Sequence, residues 1–424
     1  MDDPGCLHAD AAHPPAATDS GQPSPAGPAG LHILYLTHRL PYPPSGGARV
    51  RAFHSLRHLA ARNSVTVAAP VRDQGEVAAA EALAGLGHRV LTAPLGRGRA
   101  LVQAAWRAGT ARPASTGYFH APGLARQVRD LLRRERVDLI VVHCSAVGPY
   151  VAEIAGIPKV LDFVDMDSCK WADYSRVTGL PHRLVHAWEA RTLRRTEARL
   201  ARAFDLSLVA TEAEARSLSE IAGPVPHAVV RNGVDLDYFH PGGGAPEPER
   251  LCFLGRMDYF PNVQAMVDFC REVLPRVQAA RPGVRLSIVG AEPTPAVRAL
   301  ARLPGVEVTG SVADVRPYVW RSAVSVAPLK LARGTQNKVL EAMALGVPVV
   351  ASTLAARGVD ATPGTHLLRA DAPAETARAI LDLLDAPDAR TRLAGAARAH
   401  LDARYAWPSA LADLDTALLG LLSR

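Results

Sequence analysis

The segment from residue 331 to 352, LARGTQNKVLEAMALGVPVVAS, holds a loop, a lysine and a glutamate at spacings that suit phosphate and sugar hydroxyls. The glycine-polar loop leads into a helix, whose first N–H groups attract phosphate, and Lys338 lies in the first turn. Glu341 follows three residues later on the same face, where its carboxylate can accept both hydroxyls of a ribose. The alternative is a surface ion pair between the two. We expect donor-binding residues here at Gly334, Thr335, Gln336, Asn337, Leu340 and Glu341, with Lys338 acting on the phosphate.

Further candidates lie where predicted strands end, which is where open parallel α/β sheets bind ligands. Gly255 and Arg256 end the strand LCFLGRM, and an arginine there can pair with a phosphate through two hydrogen bonds. The next two strands end at Gly290 and at Gly310-Ser311-Val312, which we expect to line a slot for a flat base. Ordinary turns and a solvated arginine are the alternatives.

The first half of the chain offers two more groups. Gly46 and Gly47 stand between the first strand and the first helix, where backbone N–H groups can approach a phosphate. His143 ends the strand VDLIVVHCS, and Asp165 lies in LDFVDMDSCKW; we expect both to contact the acceptor or the donor sugar. A satisfied buried histidine and carboxylates that cap helices are the alternatives. The acidic residues lack the spacing of a calcium loop, so no metal site is expected.

Strands that alternate with helices position these residues. The pattern predicts parallel βαβ units, and therefore an α/β protein with two doubly wound, Rossmann-like domains facing across a cleft. Residues 1–30 are rich in Pro, Ala, Gly and Ser and are expected to be disordered. The N-terminal domain is expected at 31–238, a Pro/Gly-rich linker at 239–250, and the C-terminal domain at 251–405.

Composition limits the partners. The chain has 424 residues and a net charge of +7, and almost all of its basic residues are arginines. This charge favours phosphorylated ligands or an anionic membrane surface as partners. A region of the N-terminal domain concentrates arginines that could meet lipid headgroups; arginine-rich codon usage and a solvated face are the alternatives. The arginines are Arg97, Arg99, Arg107, Arg112, Arg126, Arg129, Arg133, Arg134 and Arg136. No basic-aromatic stripe or zinc-finger spacing indicates nucleic acid.

Other classes are excluded by missing signatures. Five scattered cysteines favour a reducing cytosol over a disulfide scaffold or a zinc site. The sequence has no signal peptide and no apolar run near the ~20 residues of a transmembrane helix, so we expect a cytoplasmic protein. It lacks P-loop, GxSxG, HExxH and kinase signatures, and its first loop is not GxGxxG, so no cofactor is expected.

Several stretches taken together resemble the retaining glycosyltransferases of family 4, which have the GT-B fold. More narrowly, they are similar to the sugar transferases of PEP-CTERM/exosortase exopolysaccharide systems. The resemblance covers Leu31 to the C-terminus, and the stretches are DFVDMDSCKW, NGVDLDYF, MDYFPNVQAMVDFCREVLP, VTGSVADVRPYV and APLKLARGTQNKVLEAMALGVPVVAS.

This resemblance implies an enzyme that moves a sugar from a nucleotide-sugar donor to a hydroxyl of a saccharide or lipid-linked acceptor, with retention and without a required metal. The C-terminal domain would hold the nucleotide, the N-terminal domain the acceptor, and residues 406–424 would cross back to the N-terminal domain. By motif position, Glu341 matches the ribose-binding glutamate, Gly47 the loop glycine near the diphosphate, and Arg256 the arginine after the first strand of the C-terminal domain.

The chain departs from the family pattern at two positions. Arg333 stands where the family often has a second glutamate, and Asn262 stands near the usual lysine, so Lys338 is expected to supply the second positive charge. We expect Arg256, Lys338 and the backbone at Gly46-Gly47 and Gly334-Thr335 to stabilise the leaving diphosphate. Two other functions fit the same fold: a nucleotide-sugar epimerase, which needs no acceptor, and a non-catalytic two-lobed sugar-binding protein.

Overall fold

Seven short apolar runs of the first half form one parallel sheet in the computed structural model, which describes residues 27–44, 47–242 and 244–423. The near-continuous hydrophobicity of the five inner strands reflects burial on both faces of the sheet. The order is β3-β2-β1-β4-β5-β6-β7. The strands are β1 (His32–Thr37), β2 (Ser64–Val71), β3 (Arg89–Pro94), β4 (Leu139–His143), β5 (Lys159–Val164), β6 (Leu206–Val209) and β7 (His227–Val229).

Helices connect these strands. Two of them begin at side-chain caps, since Asp73 accepts the N–H of Glu76 at 2.9 Å and Thr211 that of Glu214 at 3.2 Å. The helices are α1 (Gly47–Ala60), α2 (Gln74–Gly85), α3 (Arg97–Gly109), α4 (Ala114–Tyr118), α5 (Pro122–Arg134), α6 (Asp167–Val177), α7 (His182–Ala203) and α8 (Glu212–Ala222), with a 3₁₀ turn at Ser145–Tyr150.

A second parallel sheet is built by the other half of the chain in the order β10-β9-β8-β11-β12-β13, which repeats the order of the first six strands of the N-terminal sheet. The prediction of an α/β protein with two Rossmann-like domains is therefore confirmed. The strands are β8 (Glu247–Leu254), β9 (Arg285–Val289), β10 (Val306–Gly310), β11 (Ser322–Ala327), β12 (Val349–Ala351) and β13 (Leu368–Arg369).

The helices of this half include a π-helical segment, Phe269–Val273, between two α-helices. They are α9 (Phe260–Asp268), α10 (Leu274–Ala280), α11 (Pro295–Leu300), α12 (Arg316–Trp320), α13 (Asn337–Ala344), α14 (Thr353–Arg357), α15 (Pro373–Asp385) and α16 (Pro387–Arg404), followed by the last helix of the chain, α17 (Trp407–Leu422). In the part of the chain that the structure describes, no helix combines the length and the hydropathy needed to cross a bilayer.

The chain divides into two units near Arg231, earlier than the linker expected at 239–250. Residues from Asn232 onward pack within the C-terminal unit: the N–H of Val234 donates to Tyr405 O at 2.7 Å, and Arg398 donates to Phe239 O at 3.0 Å. Strand β8 also begins inside the expected linker, at Glu247, whose N–H donates to Arg321 O at 2.9 Å. Backbone pairing explains the difference, because it does not require apolar side chains.

The two ends of the chain also differ in detail from expectation. Of the segment expected to be disordered, residues 1–26 lie outside the described residues, whereas Gly30 donates to Arg62 O at 2.9 Å and Pro28 O accepts from Asn63 at 3.0 Å. At the other end, residues 411–423 of the described chain belong to the N-terminal unit. There, Asp415 Oδ1 lies 2.9 Å from His58 Nε2.

Candidate functional site

Each sheet has one point where the order in which the strands are added reverses. The first three strands run to one side, and the fourth strand then starts on the other side of the first, so the two points lie between β1 and β4 and between β8 and β11. In doubly wound sheets the carboxyl ends of the two strands at such a point form a crevice that holds ligands. His143 ends β4, Gly255 follows β8, and the loop to α13 follows β11.

In the C-terminal unit, Lys338 reaches across this point. The loop from β11 ends at Gln336, whose Nε2 donates to Arg333 O at 2.8 Å and whose Oε1 lies 3.2 Å from Lys338 Nζ. The same ammonium lies 5.9 Å from the centroid of the Phe253 ring in β8. A cation at the start of α13 is thereby brought over the end of the neighbouring strand.

Glu341 lies one turn further along α13, on its buried side, with 4% of its surface exposed. Its carboxylate interacts electrostatically with Tyr238. Burial, Asp314 and, to a smaller extent, Glu341 raise the pKa of the Tyr238 phenol to about 12. The amide of Asn232 stands 3.5 Å from Asn337 Oδ1 at the start of the helix. The NGVD stretch and the start of α13 therefore border one small region.

Gly358, which sequence reasoning did not select, packs against the backbone of the loop before α13. A Cβ at this position would overlap the carbonyl of Gly334, and Gly334 itself has φ of +59°, in the left-handed region. Thr335 is half-buried beside it. No local pattern marks Gly358 as important, because the residues that it accommodates lie more than twenty positions away.

Arg256 lies at the end of β8 in an ion-pair group. Its Nη2 donates to Asp258 Oδ2 at 2.7 Å and also to Glu292. The buried Asn262 donates to Arg256 O at 2.9 Å, and a Cβ on Gly255 would meet the same amide. Asn262 therefore holds the backbone at the end of this strand, at the place where the resemblance leads one to expect a lysine.

The remaining candidates of this unit lie further along the same edge of the sheet. Gly290 follows β9 and is buried, and Gly310 ends β10 with φ of +68°. Ser311 is exposed, and Val312 packs against the C-terminal core. Because β10 is separated from β8 by β9, these residues are not brought next to α13 within the sheet. Their contact with a base stays a prediction.

In the N-terminal unit, His143 at the end of β4 lies beside His38, which follows β1. Their rings are nearly parallel, 12° apart in orientation, with centroids separated by 6.2 Å. Both rings are buried. Burial lowers the pKa of His38 well below its usual range, and electrostatic interaction with His143 and nearby arginines lowers it further. His143 Nε2 makes no hydrogen bond to any residue that the structure describes, so it offers a polar atom to a ligand.

A buried ion pair supports His143. The guanidinium of Arg51 donates to both oxygens of Asp162, at 2.7 and 3.0 Å, and to Val230 O at 2.7 Å. Asp162 is paired with His143 in the sheet register, and its Oδ2 lies 3.3 Å from His143 Nδ1. Burial alone would raise the pKa of Asp162, but Arg51 and His143 together hold it well below its usual range.

Two backbone conformations at this end of the sheet are unusual. Cys144 has φ of +83° directly after His143, and Val164 has φ of +64° two residues after Asp162. Left-handed non-glycine residues cost roughly 1–3 kcal/mol each and concentrate at functional sites. The Cys144 N–H donates to Asp162 O at 2.9 Å, which ties the first turn to the neighbouring strand.

Asp165 follows β5 in a segment that is held by buried glutamates. Glu214 accepts the N–H of Met166 at 2.7 Å, and Glu197 accepts the N–H of Ser168 at 3.0 Å and also its hydroxyl. Asp165 itself is half-buried. The start of α6 is therefore held by glutamates of α7 and α8, and the contact of Asp165 with the acceptor or the donor sugar stays a prediction.

Glu197 makes the N-terminal unit sensitive to pH. Burial, helped by Asp167 and opposed by the Ser168 hydrogen bonds, raises its pKa to about 8. Because the unfolded pKa is near 4.3, the stabilising contribution of the protonated group is complete below that pH and is lost as pH rises through about 8. Glu197→Gln should therefore melt several degrees above the wild type at pH 9 and show a flatter profile from pH 6 to 9.

Calorimetric melting temperatures across this range test the assignment. Glu220→Gln, an exposed glutamate on α8, is the matched control and should follow the wild type. Parallel profiles for Glu197→Gln and the wild type would contradict a proton held by this carboxyl group.

Two glycines were predicted to approach a phosphate through their backbone N–H groups. Gly47 is the first residue of α1, and Gly46 lies outside the described residues. Sequence reasoning also omitted Arg51 and His38 from the site. The position of His38 directly after the first strand was a usable signal, whereas Arg51 is one of many arginines and no sequence feature distinguishes it.

Comparisons with known proteins follow the same division of the chain. The model for Glycosyltransferase Family 4 matches residues 45–238, and that for Glycosyl transferases group 1 matches residues 248–386. Together they cover more than three quarters of the chain.

Individual relatives are more distant. A GDP-mannose-dependent monoacylated alpha-(1-6)-phosphatidylinositol monomannoside mannosyltransferase of Corynebacterium glutamicum is 26% identical over 42% of this chain and 51% of its own length. A glycogen synthase of Mycobacterium tuberculosis is 25% identical over 64% of each chain. The matches therefore span between half and two thirds of these curated relatives.

Among solved structures, Anabaena HepE in complex with UDP is similar with a TM-score of 0.67. The match has 16% identity and covers 92% of this chain and all of HepE. At this identity the likeness shows the fold, and the two family matches give the class. The chain belongs to the group 1 and family 4 glycosyltransferases, and its two parallel sheets form the GT-B fold.

Proposed function

We propose that the protein transfers a sugar from a nucleoside-diphosphate sugar to a hydroxyl of a saccharide or lipid-linked acceptor, with retention of configuration. The observation that carries this proposal is the position of Lys338, at the start of α13 and above the end of β8. Lys338 and the first N–H groups of the helix present positive charge where a doubly wound sheet binds its ligand.

The nucleotide is the ligand that fits the C-terminal unit. In our assignment the start of α13 contacts the diphosphate, and Glu341, one turn further along the helix, contacts the ribose. HepE was solved with UDP, and the Corynebacterium relative is named for its dependence on GDP-mannose. Uridine and guanosine diphosphate sugars are therefore the donors to test first.

The leaving group determines the chemistry. As the glycosidic bond breaks, negative charge grows on the diphosphate, and fixed cations and N–H dipoles lower the barrier without reorganising. In our proposal Lys338 and the backbone at Gly334 and Thr335 perform this task and no metal ion is required. Arg256 contributes less than Lys338, because Asp258 and Glu292 already balance its charge.

The N-terminal unit supplies the surroundings of the reacting sugar. His143 Nε2 is the polar atom that would contact the sugar, and Asp162 Oδ2 lies 3.3 Å from the other ring nitrogen. For retention, we infer that the departing phosphate oxygen takes the acceptor proton on the face that the diphosphate leaves, so no enzymic nucleophile is needed. Asp165 is assigned to the acceptor side.

The similarity to exopolysaccharide sugar transferases supports a role in exopolysaccharide biosynthesis, in the cytoplasm at the inner face of the plasma membrane. Incubation with UDP- and GDP-sugars, with and without sugar or lipid-linked acceptors, tests the activity. Release of nucleoside diphosphate that depends on the acceptor supports sugar transfer. Formation of an epimerised donor without acceptor would instead indicate a nucleotide-sugar epimerase.

Glu341→Ala should weaken nucleoside-diphosphate binding by about tenfold to a hundredfold, because a hydrogen bond to a charged group contributes about 1.5–3 kcal/mol. Isothermal calorimetry with UDP and GDP measures the change. Glu341→Gln keeps the size and one acceptor and should lose less, and the exposed Glu81→Ala on α2 should lose nothing. Unchanged affinity in a folded Glu341→Ala protein would remove the ribose assignment.

A further inference from the structure

A patch of large apolar side chains is exposed on two parts of the N-terminal unit. Trp106 on α3 is 61% exposed, and Leu184 and Trp188 on α7 are 64% and 43% exposed. Eight of the thirteen exposed large apolar side chains in the described part of the chain belong to this patch. They are Leu101, Val102, Trp106, Val177, Leu180, Leu184, Val185 and Trp188, which we call the apolar patch.

One block of structure carries both parts of the patch. Helix α4 follows α3, and both N–H groups at its start, of Ala114 and Ser115, donate to Glu189 of α7 at 2.8 and 3.0 Å. A Cβ on Gly117 of α4 would collide with the Arg107 side chain of α3. The two exposed segments are therefore fixed to one another through α4, within the N-terminal unit.

The exposed charges of α7 have one sign. All six arginines of α7 are exposed, whereas Glu189 and Glu197, the acidic residues of that helix, are buried and bonded to backbone N–H groups. Leu184, Trp188, Arg191 and Arg195 are spaced by four, three and four residues, so they form a single exposed stripe on the helix. This face presents apolar and cationic groups together.

We infer that this face binds the surface of an anionic lipid bilayer. Large apolar side chains gain free energy on entering the headgroup region, tryptophan is favoured there, and arginines beside them are attracted to anionic lipids. A second copy of the chain is disfavoured as the partner, because two such faces would bring like charges together. The exposed aliphatic side chains disfavour a nucleic acid, which would bury them against phosphates.

This binding does not depend on the proposed sugar transfer, although it would bring the N-terminal unit to a lipid-linked acceptor. Its test is co-sedimentation of the full chain with vesicles of phosphatidylcholine alone or mixed with phosphatidylglycerol. The wild type should bind the mixed vesicles and bind them less as salt is raised. Leu184→Ser with Trp188→Ser should weaken partitioning by about tenfold or more, and so should Arg191→Gln with Arg195→Gln.

Matched substitutions outside the face provide the control. Leu86→Ser changes a leucine that is 59% exposed after α2, and Arg302→Gln changes an exposed arginine after α11 in the C-terminal unit; both should partition like the wild type. Equal binding to neutral and anionic vesicles, or no binding to either, would overturn the inference. A dimer that dissociates when Leu184 and Trp188 are replaced, or salt-sensitive binding of nucleic acid in place of vesicles, would also overturn it.

Discussion

Replacing Lys338 with methionine is expected to lower kcat by about 10²–10³, the typical effect of removing one group that stabilises charge in a transition state. Methionine keeps an unbranched side chain of similar length near Phe253 and removes the charge that, in the proposed function, faces the leaving diphosphate. KM for the donor should rise less than kcat falls, because the charge on the diphosphate grows only as the bond breaks.

The same loop contains a suitable control. Lys330 follows β11, its side chain is 57% exposed, and its ammonium pairs with Asp268 at 2.8 Å. Lys330→Met removes the same charge from a nearby position and should leave kcat within about threefold of the wild type, since a surface ion pair has little effect. Equal losses in the two variants would indicate a general electrostatic effect and contradict the specific role of Lys338.

Asp162→Ala is expected to destabilise the N-terminal unit by about 3–5 kcal/mol, because it leaves the buried Arg51 guanidinium without its carboxylate. Urea unfolding followed by circular dichroism measures the change. The double variant Arg51→Met with Asp162→Leu should recover most of the loss, since replacing both charges with apolar groups removes the desolvation cost. A single variant as stable as the wild type would contradict the importance of the pair.

The pH dependence provides an independent test of the same pair. The pKa of Asp162 is lower in the folded protein than in the unfolded chain, so its stabilising contribution is present above the unfolded value near 3.9 and is lost as pH falls below it. The double variant should therefore lose less stability than the wild type in strong acid.

Asp162→Asn should lower kcat while leaving nucleotide affinity unchanged, as expected of a residue that positions His143.

The sequence is informative where the pattern is local. The apolar run that ends at His143 predicts β4 and the place of the histidine at its carboxyl end. The loop before Asn337 and the spacing from Lys338 to Glu341 predict a helix start with both side chains on one face. These features depend on residues within one strand or one turn, so their periodicity is visible in the sequence.

The features that sequence reasoning missed depend on distant residues. Arg51 and Asp162 are separated by 111 positions, and only the fold brings them together. Gly358 matters only because the backbone of Gly334 is packed against it.

A crystal structure of the protein with UDP or GDP bound would locate the nucleotide. We expect diphosphate oxygens about 3 Å from Lys338 Nζ and from the first backbone nitrogens of α13, with a ribose hydroxyl at Glu341. A nucleotide bound elsewhere, with the start of α13 contacting no phosphate, would contradict this expectation.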